Sequence, residues 1–121
     1  MKIHELAQKT GLTPATIRFY EKEGLLDHRH VRRQENNYRD YSNEAVEHLQ
    51  TIKRLQAAGF TLSELRKYTI ADTKNKLVLQ NIVELISEKV AEIDRKKAEL
   101  EHTQALLERI LAHKIRQLNE K

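Results

Sequence analysis

Gly11-Leu12-Thr13-Pro14-Ala15-Thr16-Ile17-Arg18-Phe19-Tyr20-Glu21-Lys22-Glu23-Gly24 is the stretch on which the fold turns. Before it, Ile3, Leu6 and Ala7 make a helical stripe that stops at Gly11, a residue suited to the left-handed position closing a helix. Thr13 offers an N-cap oxygen, and Pro14 fits the first helical position, where its missing N–H costs nothing. A second short helix then runs to about Lys22 and ends at Gly24. Two short helices joined by a turn around a glycine form the helix-turn-helix pattern. Helical hairpins share this look, so its weight depends on what flanks it.

Downstream, residues 25–41 lack helical periodicity. They hold a basic cluster, Arg29, Arg32 and Arg33 with His28 and His30, and then Asn36-Asn37-Tyr38-Arg39-Asp40-Tyr41. Asn tolerates the backbone of a tight turn, and tyrosine favours extended chain, so this segment predicts a small β-ribbon, a wing with a basic tip. Ser42 is placed to cap a third helix with apolar positions Ala45, Val46, Leu49, Ile52 and Leu55, ended by Gly59. Thr61-Leu62-Ser63-Glu64 is a capping box that opens a fourth, with Leu62 and Leu65 on its apolar side.

No glycine or proline follows Gly59, so the second half predicts one uninterrupted helix after a polar connector, Ala71-Asp72-Thr73-Lys74-Asn75-Lys76. From Leu79 a 3,4 repeat continues through Val83, Ile86, Val90, Ile93, Lys97, Leu100, Gln104, Leu107, Leu111, Lys114 and Leu118. From Val83 onward 8 of 11 seam positions are apolar, which meets the rule for a coiled coil. Such a helix, roughly 60 Å long at its rise per residue, cannot bury its stripe on a small N-terminal unit and calls for a partner, a second copy of the chain. The competing expectation, a monomeric hairpin, lacks a Gly or Pro to break the helix. Lys97 and Gln104 either set the register of the pairing or mark an exposed stretch. The expected organisation is a winged helix-turn-helix unit over 1–69, a connector over 70–78, a coiled-coil dimerisation helix over 79–118 and a tail over 119–121.

Composition narrows the function. The chain has 121 residues, enough for one core, with 39% hydrophobic and 33% charged residues, a balance that suits solvated helices. Cysteine is absent, which excludes disulfides, thiolate metal sites and a cysteine nucleophile. No segment has the run of apolar residues a bilayer demands and the start is no signal peptide, so a cytoplasmic protein with no membrane partner is expected. The net charge of +4 is uneven: residues 1–69 carry 12 Lys/Arg against 9 Asp/Glu, and residues 70–121 carry 10 against 9. All six aromatics (Phe19, Tyr20, Tyr38, Tyr41, Phe60 and Tyr68) also lie in the first part. Basic excess alone is weak evidence for nucleic acid, but its position beside the helix-turn-helix is informative.

Three motifs in register carry a closer resemblance: Thr16-Ile17-Arg18-Phe19-Tyr20-Glu21-Lys22-Glu23-Gly24-Leu25-Leu26, Tyr38-Arg39-Asp40-Tyr41, and Ala58-Gly59-Phe60-Thr61-Leu62-Ser63-Glu64-Leu65. In order and spacing they resemble the signature of the MerR (mercury-resistance regulator) family of transcription factors, and the long closing helix is similar to that family's dimerisation helix. The resemblance implies an all-α fold with a small β wing: a winged helix-turn-helix and an antiparallel coiled coil joining two copies. It implies a homodimer on a near-palindromic promoter operator, acting by bending and untwisting the duplex between the −35 and −10 elements, so that RNA polymerase is met indirectly through the shared promoter.

A helix-turn-helix sends the start of its second helix into the major groove. Thr13, Ala15 and Thr16 are the residues expected at base edges, with Arg18 and Tyr20 a turn further along. The resemblance favours phosphate for Arg18. Phe19 reads equally as core packing or as a sugar contact. Tyr38 and Arg39 match the family's contacting pair in the wing, Arg32 and Arg33 are expected to add phosphate contacts, and Lys53 corresponds to a basic position of the third helix that reaches the backbone. The dimer seam is expected to use Leu79, Val83, Ile86, Val90, Ile93, Leu100, Leu107, Leu111 and Leu118.

The chain departs from the family pattern in two places. Eleven residues separate Leu26 from Tyr38, with no proline and with Asn37 where the family tends to have glycine. Thiolates that metal-sensing members carry are missing, and the chain has no room for the effector domain of drug-sensing members. His28 with His30, and His102 with His113, lack the spacing of a closed metal site and are expected to be solvated surface histidines, so no metal or cofactor is expected. Control then falls either to a small pocket near Tyr68 and the connector or to abundance or a protein partner. The alternative function is a coiled-coil protein-interaction adaptor without DNA binding. An enzyme is not expected, since there is no phosphate-cradling Gly loop and no Ser/His/Asp grouping, and carboxylates such as Glu92 pair with Lys96 as surface charges.

Overall fold

The computed structural model describes residues 1–35, 38–71 and 74–120. Among the described residues, five helices and a two-stranded ribbon follow in the order α1 (Ile3–Thr10), α2 (Pro14–Lys22), β1 (Val31–Arg33), β2 (Arg39–Tyr41), α3 (Asn43–Ala57), α4 (Leu62–Ile70) and α5 (Lys76–Asn119). The fold is all-α with a small β wing, as the sequence implies. Two units divide the chain, a head over Met1–Val83 and a C-terminal unit over Glu84–Lys121.

Local chemistry sets the helix ends of the head. Gly11 closes α1 in the left-handed conformation, φ 73°, with its N–H donated to the Ala7 carbonyl. Thr13 caps α2 by accepting from the Thr16 N–H, and Pro14 occupies the first turn. Both halves of the capping box form at α4: the Thr61 hydroxyl accepts from the Glu64 N–H, and the Glu64 carboxylate accepts from the Thr61 N–H. Ser42 differs from expectation. It stands at the N-cap of α3, yet its hydroxyl donates to the Arg29 carbonyl at 2.7 Å and forms no cap bond. That hydrogen bond ties the approach to the wing onto the start of α3.

The head core is drawn from α1 to α4 and the chain between them: Leu6, Ile17, Leu25, Ala45, Leu49, Ile52 and Leu65 have no exposed surface, and Tyr41 from β2 is also buried. Each such Leu or Ile contributes about 1.5–3 kcal/mol of transfer free energy. α1 packs on both α2 and α3, and α4 packs on α3. Antiparallel pairing in the wing sets Val31 opposite Tyr41, Arg32 opposite Asp40 and Arg33 opposite Arg39. The Tyr41 N–H also donates to the Met1 carbonyl, so the chain just before α1 borders β2.

The wing cations are strand residues rather than tip residues. Arg32 and Arg33 lie in β1, and Glu35 stands beyond them at the turn. The turn expected at Asn36-Asn37 lies outside the described residues, as do Asp72 and Thr73 of the connector.

α5 is helical for 44 residues, beginning three positions before the first seam residue, Leu79. None of its residues is buried. Every one of the nine aliphatic seam residues is exposed, from Ile93 at 38% to Leu118 at 83%, and Leu106, Ile110 and Ile115 widen the apolar face near its end. Among the described residues no helix is long and apolar enough to cross a membrane.

Candidate nucleic-acid interface

α2 meets its neighbours through its inner face and offers its outer face to solvent. Thr13 and Ala15 are exposed and Thr16 is half-buried, with the two threonine hydroxyls 2.9 Å apart. Arg18 is exposed, and Phe19 is 44% exposed, which decides between its two readings in favour of the surface. Tyr20 is corrected. One position further round the helix it is only 6% exposed, and its hydroxyl donates to Gln56 Oε1 on α3 at 2.6 Å. Burial raises its pKa, and the side chain is a link between α2 and α3.

Arg18, Arg33 and Arg39 converge. With Lys22 and Glu21 they line a depression of about 370 Å³ where α2 meets the wing. A second depression, of about 260 Å³, brings Arg18 and Arg39 together with Tyr38, Lys2 and His4. Tyr38 is 60% exposed, with the Lys2 ammonium 5.5 Å from its ring centroid, a cation–π distance. Opposite residues of an antiparallel ribbon share a face and successive residues alternate. Arg33 and Arg39 are therefore on the face of buried Tyr41, whereas Arg32 and Asp40 are on the other. Arg32 accordingly joins a different depression, with His28, Arg29 and Glu44.

Lys53 lies on the exposed side of α3 and reaches toward the helix-turn-helix: a Cβ built on Gly11 would stand 3.7 Å from its Nζ. It lines a fourth depression with Gln50, Arg54 and Thr10. Gln50 Nε2 donates to the Lys9 carbonyl at 3.3 Å and so pins α3 to α1 just below that turn. Lys2, Lys22 and Arg54 were not singled out by sequence. Lys22 had a signal, since it is four residues beyond Arg18 on the same helix face; Lys2 and Arg54 had none.

The loop leading into the wing is held from inside the head. Arg29 donates through Nη2 to Asp27 at 2.7 Å and to the Thr69 carbonyl of α4 at 2.6 Å. Burial alone would raise the Asp27 pKa, but hydrogen bonds from the Arg29 side chain and backbone, with the neighbouring positive charges, outweigh it and bring it to about 2. His30 corrects a second expectation. It is 4% exposed, not a solvated histidine: its Nδ1 accepts from the Asp27 N–H at 3.0 Å, and its ring stacks on His48 at 4.2 Å between centroids. His48 in turn bonds through Nε2 to the Leu25 carbonyl at 2.8 Å and stacks with Tyr68. Burial lowers both histidine pKa values; the His48 charge adds to this at His30, and the hydrogen bond to Leu25 opposes it at His48. Among the described residues no group of three His, Asp or Glu side chains could hold a metal ion.

A short helix with an exposed start, flanked by a cationic wing on one side and Lys53 on the other, defines a winged helix-turn-helix protein. The family described as MerR HTH family regulatory protein matches residues 1–71, and that described as MerR, DNA binding, matches residues 46–110. The mercuric resistance operon regulatory protein of Bacillus cereus is 35% identical over 106 residues, covering 88% of this chain and 79% of the relative. The regulator CueR of Salmonella typhimurium is 34% identical over 112 residues, covering 93% and 78%. Among solved structures, HiNmlR, a MerR family regulator lacking the sensor domain and bound to promoter DNA, superposes with a TM-score of 0.76 at 25% identity, covering 92% of this chain and 86% of that one. PbrR691 from Ralstonia metallidurans CH34, in complex with lead(II), gives 0.65 at 32% identity, covering 88% and 82%. The chain belongs to the MerR family of DNA-binding transcriptional regulators. Its relatives are regulators, not enzymes.

Proposed function

We propose that the protein acts in the cytoplasm as a homodimer that grips a near-palindromic promoter operator, one head per half-site, and bends and untwists the duplex between the −35 and −10 elements. RNA polymerase then responds to the altered promoter without needing a direct contact. The observation that carries this reading is the uncovered aliphatic seam of α5, Leu79 to Leu118, in a chain whose head is already closed. A stripe of that length covered by a second copy ties two heads together, and paired heads match a two-fold operator. The promoter-bound neighbour HiNmlR, a MerR family regulator of similar fold, supports promoter DNA as the ligand.

Within each head, Thr13, Ala15 and Thr16 face base edges. Arg18, Arg33, Arg39 and Lys53 neutralise phosphates, and Phe19 and Tyr38 pack on sugars. Tyr20 is left out because its hydroxyl already serves Gln56. Arg32, on the opposite wing face, takes a lesser part through long-range attraction. Phosphate contacts position the protein; the few base-edge residues and the deformability of the central base pairs choose the sequence.

The test is selection of duplexes from a random pool, followed by sedimentation and salt titration of the complex. A two-fold symmetric motif bound by two chains is expected. With four or five phosphates neutralised per protomer, the log–log salt slope falls on the order of −7 to −9. Arg18→Ala weakens binding to all sequences alike and makes that slope shallower by about one for each phosphate it ceases to neutralise. Single chains in sedimentation, or an asymmetric motif, would overturn the reading.

A further inference from the structure

One carboxylate stands among the cations where α2 meets the wing. Glu21 is half-buried on α2, and its Oε1 accepts from Arg39 Nε at 2.8 Å. Its Oε2 lies 3.5 Å from the hydroxyl of buried Tyr41. Arg18, Lys22 and Arg33 line the same depression, so four cations surround one acid. On a surface that meets a polyanion, charge counting makes this acid a liability.

The geometry of the ribbon explains it. Arg33 and Arg39 are directly opposite one another across the strands, a pairing in which like charges repel. Both are on the ribbon face of Tyr41, the residue that inserts from β2 into the head. Without a counter-charge, Arg39 and Arg33 push each other, and the ribbon with them, away from the helix. Glu21 fixes Arg39 through Nε, one of five N–H donors on the guanidinium, and so leaves the fork with donors for a phosphate.

We infer that Glu21 is a positioning residue for DNA binding, a carboxylate on the recognition helix that clamps the wing through Arg39 and aims that arginine at the backbone. It acts through Arg39 and touches no DNA itself. The inference rests on the DNA-binding reading above and adds the device that couples helix and wing.

The sign of one substitution separates positioning from charge. Binding of the full-length protein to a mixed-sequence 30-base-pair duplex is measured across salt concentrations. If Glu21 were only an unwanted negative charge, Glu21→Ala would tighten binding and steepen the slope. As a positioning residue, its loss weakens binding about fivefold or more and makes the slope shallower by about one per phosphate that Arg39 no longer holds, although the net charge has risen. Glu21→Gln, whose amide oxygen still accepts from Nε, recovers part of the affinity.

Glu21→Ala in an Arg39→Ala background changes nothing further, because the two act as one unit. Tighter binding by Glu21→Ala, or fully additive losses in the double variant, overturns the inference while leaving the DNA-binding reading intact. A wild-type protein that ignores duplex DNA overturns both. Thermal unfolding checks that each variant is folded; should Glu21→Ala not fold, Glu21→Gln and the Arg39 background carry the same comparison.

Discussion

The head and the C-terminal unit draw on the same aliphatic residues and leave them in opposite states. Leu6, Leu25, Leu49 and Leu65 in the head are wholly buried, whereas Leu100 and Leu107 in the C-terminal unit are 69% and 58% exposed. The head reaches closure by turning: three glycines and one proline break its chain into short pieces that pack across one another. Without such breaks, α5 stays helical for 44 residues and presents an apolar stripe that no part of the same helix can cover. One region thus completes its core alone, while the other, in the proposed dimer, is completed by association. Stability of the first is then a property of the chain, and stability of the second, on that proposal, a property of concentration.

That contrast is broken most sharply by a charge in the seam. Leu107→Glu places a carboxylate into the proposed interface twice per dimer and is expected to weaken self-association by roughly a thousandfold or more. Sedimentation then shows single chains, and duplex affinity falls with the loss of the second head. A dimer that persists at micromolar concentration would remove the seam from the interface. Next in size is Leu49→Ala, which leaves a cavity in the head and costs about 2–5 kcal/mol in chemical denaturation. Association through α5 is expected to survive it.

The smallest effect is a pH dependence belonging to the head alone. His30 and His48 have folded-state pKa values lowered by burial, so they stay neutral where the unfolded chain takes up protons. Stability from this pair is complete above the ordinary histidine value, near pH 6.5, and is lost as pH falls below it. Asp27, with a folded-state pKa of about 2, acts in a lower window, its contribution fading only from about pH 4 downward. A thermal midpoint lower at pH 5.5 than at pH 7.5, with the difference reduced in His48→Gln, is the expected result; an unchanged midpoint over that range would assign the histidines no part in holding the head together.

Features that depend on neighbours along the chain are legible in the residues alone. Gly11, Thr13 with Pro14, and Thr61 with Glu64 set helix ends through bonds spanning three or four residues. The α5 seam is legible for the same reason, since it is a periodicity along one helix. Which of Phe19 and Tyr20 faces outward is set by long-range packing, because Tyr20 is held by Gln56, 36 residues away from it. The same holds for His30, buried by a ring 18 positions on, for Ser42, whose hydroxyl answers to Arg29, and for Glu21, whose role becomes visible when β2 brings Arg39 beside it. Backbone conformation is chosen by local sterics and hydrogen bonds, whereas the partner of a side chain is chosen by whichever distant segment packing delivers to it.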